Sequence, residues 1–220
     1  MGGFVQQLAV SYVRHGYRFW VSGTVPAGKD PRRTDVKLVE KYECFWSSSE
    51  RARHKQRGEA NSQYLRHRDF WVLLVTEGEH LFFKPVEEGG ESRREGGSGQ
   101  ETRIRDIRRQ PIRFAGYSIS FRKGTVHVRI AREDYLRLRA WLEDLALKRS
   151  AADLADIFQA LPFEPYAPVA AQYFALWRRV NRVRAVAGRG PVPYEAVRWK
   201  RRIYRPFEVA AHALASLEAA

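Results

Sequence analysis

The chain has 220 residues, 44% of them hydrophobic, enough to bury a core in one domain or two small ones. Lys and Arg number 39 against 25 Asp and Glu, a net charge of +14 on a mixed background, which suits polyanions: DNA, RNA or, less often, an anionic membrane surface. A lone Cys44 excludes an internal disulfide and a cysteine zinc cluster.

No run approaches the ~18 apolar residues of a spanning helix. Met1-Gly-Gly-Phe-Val lacks the charged start and apolar core of a signal peptide. A cytoplasmic protein with no membrane partner is expected. Arginines outnumber lysines 31 to 8. A GC-rich genome is the plain cause, but the consequence holds either way: guanidinium groups bind phosphates and base edges at two points and stack on bases.

Taken in order, Tyr17 to Val25 reads as a strand and Pro26 to Pro31 as a turn. Asp30 is placed to cap a helix that has Pro31 at its first position and runs to about Glu43, with Leu38, Val39 and Tyr42 turned inward. Glu50 to Arg68 is polar and basic, with six cations from Arg51 to Arg68 against Glu59 alone. Phe70 to Val75 follows without polar alternation, so both faces of that strand should be covered and the strand should be central in its sheet. Thr76-Glu-Gly-Glu79 then breaks the pattern before His80-Leu-Phe-Phe83, which predicts a β-hairpin with Gly78 in its loop.

Residues 87–102 are rich in Glu, Gly and Ser and read as a flexible loop. Residues 103–113 carry five arginines, with Pro111 demoting part of the stretch to an edge or bend. Tyr117–Phe121 and Val126–Ile130 alternate as a hairpin turning at Arg122–Thr125, with His127 and Arg129 outward. A helix from Arg132 to about Lys148 should bury Tyr135, Leu138, Leu142 and Leu145. Ser150 and Asp153 form a capping box for a short helix to about Leu161. After the Pro-rich connector 162–168, a longer helix should run to about Ala187 on a stripe of Val169, Tyr173, Leu176, Val180 and Val183. Pro193 and Pro206 each open another helix. The fold class is therefore α+β: a mostly antiparallel sheet with helices on one face over residues 1–149, best matched by a ferredoxin-like palm, and a helical basic part over 150–220.

Three constellations bear on function. From Arg178 to Arg205 ten cations stand against Glu195 alone. Arg178, Arg179 and Arg182 share the helix side away from the apolar stripe, and Arg198, Lys200, Arg201 and Arg202 lie on what would be the second helix of a helix-turn-helix pair. A solvated scaffold face, paired with Asp153 and Asp156, is the plain alternative. Second, Arg66 and Arg68 near Tyr64, Phe70 and Trp71, and Arg108, Arg109 and Arg113 near Phe114 and Tyr117, interleave cations with aromatic rings that can stack on bases; core packing is the alternative.

Third, Glu77, Glu79 and His80 are candidate catalytic residues, with His80 a candidate metal ligand. Asp69, ~26 Å from Glu77 along a strand, cannot share an ion with it. His80 on a strand and Tyr135 near the start of a later helix resemble, over residues 17–140, the layout of rolling-circle initiators and relaxases. That resemblance implies a metal-binding His-hydrophobe-His and a nucleophilic Tyr, but the second histidine position is Phe82 and Tyr135 falls on an apolar stripe.

The leading expectation is a non-enzymatic nucleic-acid-binding protein without cofactor. DNA is slightly favoured over RNA by the helix pair. The alternatives are a Mg- or Mn-dependent nuclease and an assembly subunit that meets an acidic protein partner.

Overall fold

The structure, a computed structural model, describes residues 1–84, 104–198, 200 and 202–204. The predicted loop 87–102, Arg201 and the helix from Pro206 lie outside the described residues. The fold is α+β with antiparallel sheets and helices in its C-terminal part.

The N-terminus forms a helix, α1 (Gly2–Gln6), continuing through a π-helical stretch, Gln7–Tyr12, to a single 3-10 turn, Val13–His15. Phe4, Val5, Leu8, Ala9 and Val13 are all buried. Phe4 meets Phe70 at 6.0 Å and Phe114 at 4.4 Å between ring centroids, so this helix touches both sheets.

The first sheet contains β1 (Phe19–Thr24), β2 (Ser62–His67), β3 (Phe70–Val75) and β4 (Arg105–Asp106) in the order β2-β3-β1-β4, every pair antiparallel. β3 is central, and Val72 to Val75 have no exposed surface. Its side chains alternate between two hydrophobic clusters: Val72 and Leu74 join Trp20 and Leu65, while Leu73 and Val75 join Val21 and Tyr64. Two covered faces explain the uninterrupted apolar run. The second cluster is closed by Val39 of α2 (Pro31–Lys41), whose Asp30 cap accepts from the Arg32 N–H at 2.9 Å. The same cluster holds Cys44, whose thiol burial pushes up to about 12.

β1 and β2 run parallel with β3 inserted between them and α2 on the connection, a split βαβ unit. A ferredoxin-like palm opens with the same connectivity. Where the palm's second helix would begin after β3, there is a 3-10 turn, Leu81–Phe83.

Two local readings are corrected. The predicted hairpin around Gly78 does not form, because both edges of β3 are already paired, by β1 and β2. The segment after Val75 lies instead along residues 58–60, where Glu79 bridges Glu59 in parallel. The hairpin partner of β3 is β2, which turns at Arg68-Asp69 with Arg68 at φ 56°. The stretch 50–68, read as polar and basic with no element assigned, holds most of α3 (Ser48–Gln56) and all of β2, whose first four residues are buried. β2 hides its polar side chains by pairing them: the Asn61 amide donates to the Arg51 carbonyl at 3.0 Å and the Ser62 hydroxyl to that of Tyr42.

The second sheet is a meander of β5 (Ile112–Phe114), β6 (Tyr117–Arg122) and β7 (Thr125–Ile130). Its two-residue turns, Ala115-Gly116 and Lys123-Gly124, have positive φ at both positions, as the right-handed strand twist favours. Helices α4 (Arg132–Lys148), α5 (Ala151–Gln159) and α6 (Ala167–Val186) follow as the sequence predicts, and the Ser150–Asp153 capping box is formed. One hydrophobic cluster joins residues on both sides of the 162–168 connector. Among the described residues no helix is long and apolar enough to cross a membrane.

Candidate nucleic-acid interface

α6 buries Val169, Tyr173, Leu176 and Val180 and so turns Arg178 and Arg182, one helical turn apart, toward solvent. The Arg178 guanidinium lies 4.4 Å from the centre of the Phe174 ring and makes no ion pair among the described residues. Arg182 makes no ion pair among the described residues. Arg179 differs: its Nε donates to Glu143 of α4, and not to Asp153 or Asp156. Arg184, not singled out by the sequence, is buried and ties α6 to neighbouring backbone.

The chain after α6 folds back along it. Val192 exchanges two hydrogen bonds with the Asn181 side chain, and the Trp177 indole N–H donates to the Val192 carbonyl at 2.9 Å. Tyr194, half-exposed, packs against Phe174 and Trp177, which stack at 5.3 Å. Among the described residues a helix-turn-helix pair is not found: a single 3-10 turn, Tyr194–Val197, stands where the second helix was expected. Arg198, Lys200 and Arg202 are exposed beyond it. Glu164 fixes this end, accepting from the Arg202 backbone N–H at 2.9 Å and the Tyr204 hydroxyl at 2.7 Å.

The remaining candidates divide by whether their charge is already spent. Arg66 pairs with buried Asp35 at two points, and these hydrogen bonds raise its pKa. Arg108 bridges Asp106 and Glu77 at 2.9 Å each. Burial alone would raise the Asp106 pKa, but hydrogen bonds from the Arg108 side chain and backbone outweigh it and hold the carboxyl below its ordinary value. Arg68 and Arg109 stay exposed and unpaired among the described residues.

The nuclease candidates do not converge. Glu77 is held by Arg108, and Glu79 runs beside Glu59 through its backbone. His80 caps the 3-10 turn, its Nδ1 accepting from the Phe82 N–H at 3.0 Å, and also bonds the Tyr42 backbone. Burial lowers its pKa, outweighing the Glu43 charge and the Tyr42 backbone bond that would raise it. Among the described residues no three His, Cys, Asp or Glu are grouped to hold a metal ion.

Tyr135 sits elsewhere, half-buried in a 630 Å³ groove over the outer face of the second sheet. Arg122, Lys123, Arg129 and Arg132 share that groove. Sequence alternation had already turned Arg129 outward; what it could not supply was the pairing that brings these cations together. No family model, curated protein or solved structure matches the chain.

Proposed function

We propose that this protein binds nucleic acid through its C-terminal arginine surface, gripping backbone phosphates with Arg178 and Arg182 of α6 and with Arg198, Lys200 and Arg202 beyond it. The observation that carries the reading is that Arg178 and Arg182 stand exposed with no carboxylate partner among the described residues, whereas Arg66, Arg108 and Arg179 are neutralised within the fold. Unpaired surface guanidiniums at one-turn spacing favour a polyanion, since each phosphate they neutralise releases a counterion. Phe174, Trp177 and Tyr194 beside Arg178 add ring surface for sugar or base contact. The preference for DNA rested on a second helix that is not found among the described residues, so the reading is for phosphates common to DNA and RNA.

The test is a titration of labelled single- and double-stranded DNA and RNA over a salt series. A steep fall of log affinity with log salt is expected, and R178Q/R182Q should flatten the slope by about 1.4 for single strands or 1.8 for duplex. A shallow wild-type slope for every form sinks the proposal and leaves the arginines to an acidic protein partner.

A further inference from the structure

We infer that the outer face of the β5–β6–β7 sheet is a second contact surface for the sugar-phosphate backbone of a nucleic acid. This inference takes its ligand class from the reading above but rests on different residues.

Strand pairing assembles the surface. Residues that point inward, Tyr117, Ile119, Val128 and Ile130, are buried. Their neighbours necessarily point outward and meet across the strands: Ser118 faces Arg129, Ser120 faces His127, and Arg122 faces Thr125. Arg132 and Tyr135 enter from the first turn of α4, and Lys123 from the hairpin tip. Four cations thus converge from two strands, a turn and a helix onto one groove, although they are scattered over eleven positions of sequence.

Among the described residues no carboxylate lines the groove. Glu133, next to Arg132, is already paired with Arg113 at 3.1 Å. The cations there make no ion pair among the described residues, whereas on a scaffold face opposite charges interleave. Two neutral groups there are donors suited to phosphate oxygens, the Ser118 hydroxyl and the Tyr135 phenol, while Ser120 is buried at the floor. Gln172 of α6 is spent on the edge of β7, its side chain accepting from the Ile130 N–H at 2.8 Å and donating to the Ile130 carbonyl at 3.2 Å. It closes that edge against further strands and leaves the face open.

The dimensions fit a strand. The three cross-strand rows are spaced ~7 Å apart, so they span roughly 13 Å. That length holds on the order of four phosphates of a stacked strand. Among the described residues Tyr135 and His127 supply the groove's only aromatic rings against four cations, so the surface should follow the backbone rather than read base sequence.

The experiment compares the full chain with R122Q/R129Q/R132Q, Y135F and R178Q/R182Q, using a labelled mixed-sequence single strand and the matching duplex over a salt series. All three arginines of the triple variant are exposed, so an unchanged melting temperature should show that the fold is retained. The triple variant should flatten the single-strand slope by about 2, three contacts at ~0.7 each. Y135F should weaken binding a few-fold and leave the slope alone, because a phenol carries no counterion. A steep wild-type slope left unchanged by the triple variant overturns the groove and spares the α6 surface. A triple variant that flattens the slope while R178Q/R182Q does not upholds the groove and removes α6. A shallow wild-type slope overturns both.

Discussion

Asp35 and Arg66 form a two-point ion pair between α2 and β2, with Nε 2.6 Å from Oδ1 and Nη2 2.7 Å from Oδ2. The Tyr64 hydroxyl donates to the same Oδ1 at 2.7 Å, and Asp35 is buried. Removing the guanidinium leaves an inward carboxylate with one neutral donor. We therefore expect Arg66→Ala to cost about 3 kcal/mol in urea denaturation. Arg66→Lys keeps the charge but loses the planar fork, and should recover only part of that. Nucleic-acid affinity of folded R66A should stay near wild type. A flattened salt slope with unchanged stability would reverse this assignment and return Arg66 to the binding surface.

Arg184 holds the C-terminal helices together from inside. Its Nη1 donates to the carbonyls of Ala146 at 3.0 Å and Arg149 at 2.9 Å, and its Nε to that of Gly190 at 2.6 Å. The first two carbonyls belong to the end of α4, where a cation also meets the negative pole of the helix. Arg184→Met fills much of the volume but strands three acceptors, and should cost ~3 kcal/mol or more. Arg182→Ala, two residues away and exposed, should change stability by no more than roughly 0.5 kcal/mol. Parallel denaturation curves decide it; equal midpoints for the two variants would contradict the buried placement.

Much of the fold was legible where local chemistry agrees with tertiary need. The Asp30 cap, the Ser150–Asp153 box, the Lys123-Gly124 turn and the α6 stripe each follow from a few neighbouring residues. The sequence failed where partners are distant. His80 to Phe83 has strand composition, yet nothing local reveals that both edges of β3 are taken. Ser62 and Gln63 look like surface because the partners that let polar groups be buried lie elsewhere in the chain. The same limit governs the candidate interface. Arg178 and Arg182 could be read from helical spacing alone. Whether Arg66 or Arg108 is free depends on Asp35 and Glu77, each 31 residues away in sequence.

Histidine burial makes stability depend on pH in a stated direction. Burial lowers the pKa of His80, and also that of His67, below the ordinary value of 6.5. The unfolded chain then binds protons more readily than the folded one, so stability is fully present above the unfolded value and is lost as pH falls below it. His80→Asn keeps an acceptor for the Phe82 N–H but cannot titrate. Chemical denaturation on either side of that value should show a smaller acid loss in H80N than in wild type, the remainder including His67. An identical loss in both proteins would mean that His80 is solvated.

Gly78 is required by contact as well as by conformation. Its φ is 131°, and a Cβ there would lie 2.6 Å from the Gly58 carbonyl oxygen and 2.7 Å from the Ala60 nitrogen. Both are backbone atoms, held by the bonds from Ala60 N to the Glu79 carbonyl and from Glu79 N to the Gly58 carbonyl, 2.9 and 3.1 Å. Neither can rotate away as a side chain could. Gly78→Ala should therefore lose the 58–60 contact and cost at least ~2 kcal/mol. Gly124 is the control. Its φ is 76° and nothing lies within 4 Å of its would-be Cβ, so Gly124→Ala bears conformational strain alone, about 1 kcal/mol. Hydrogen exchange at the Ala60 and Glu79 amides should rise in G78A and stay slow in G124A. If the two variants are equally stable and those amides remain protected, the segment after β3 does not run along residues 58–60.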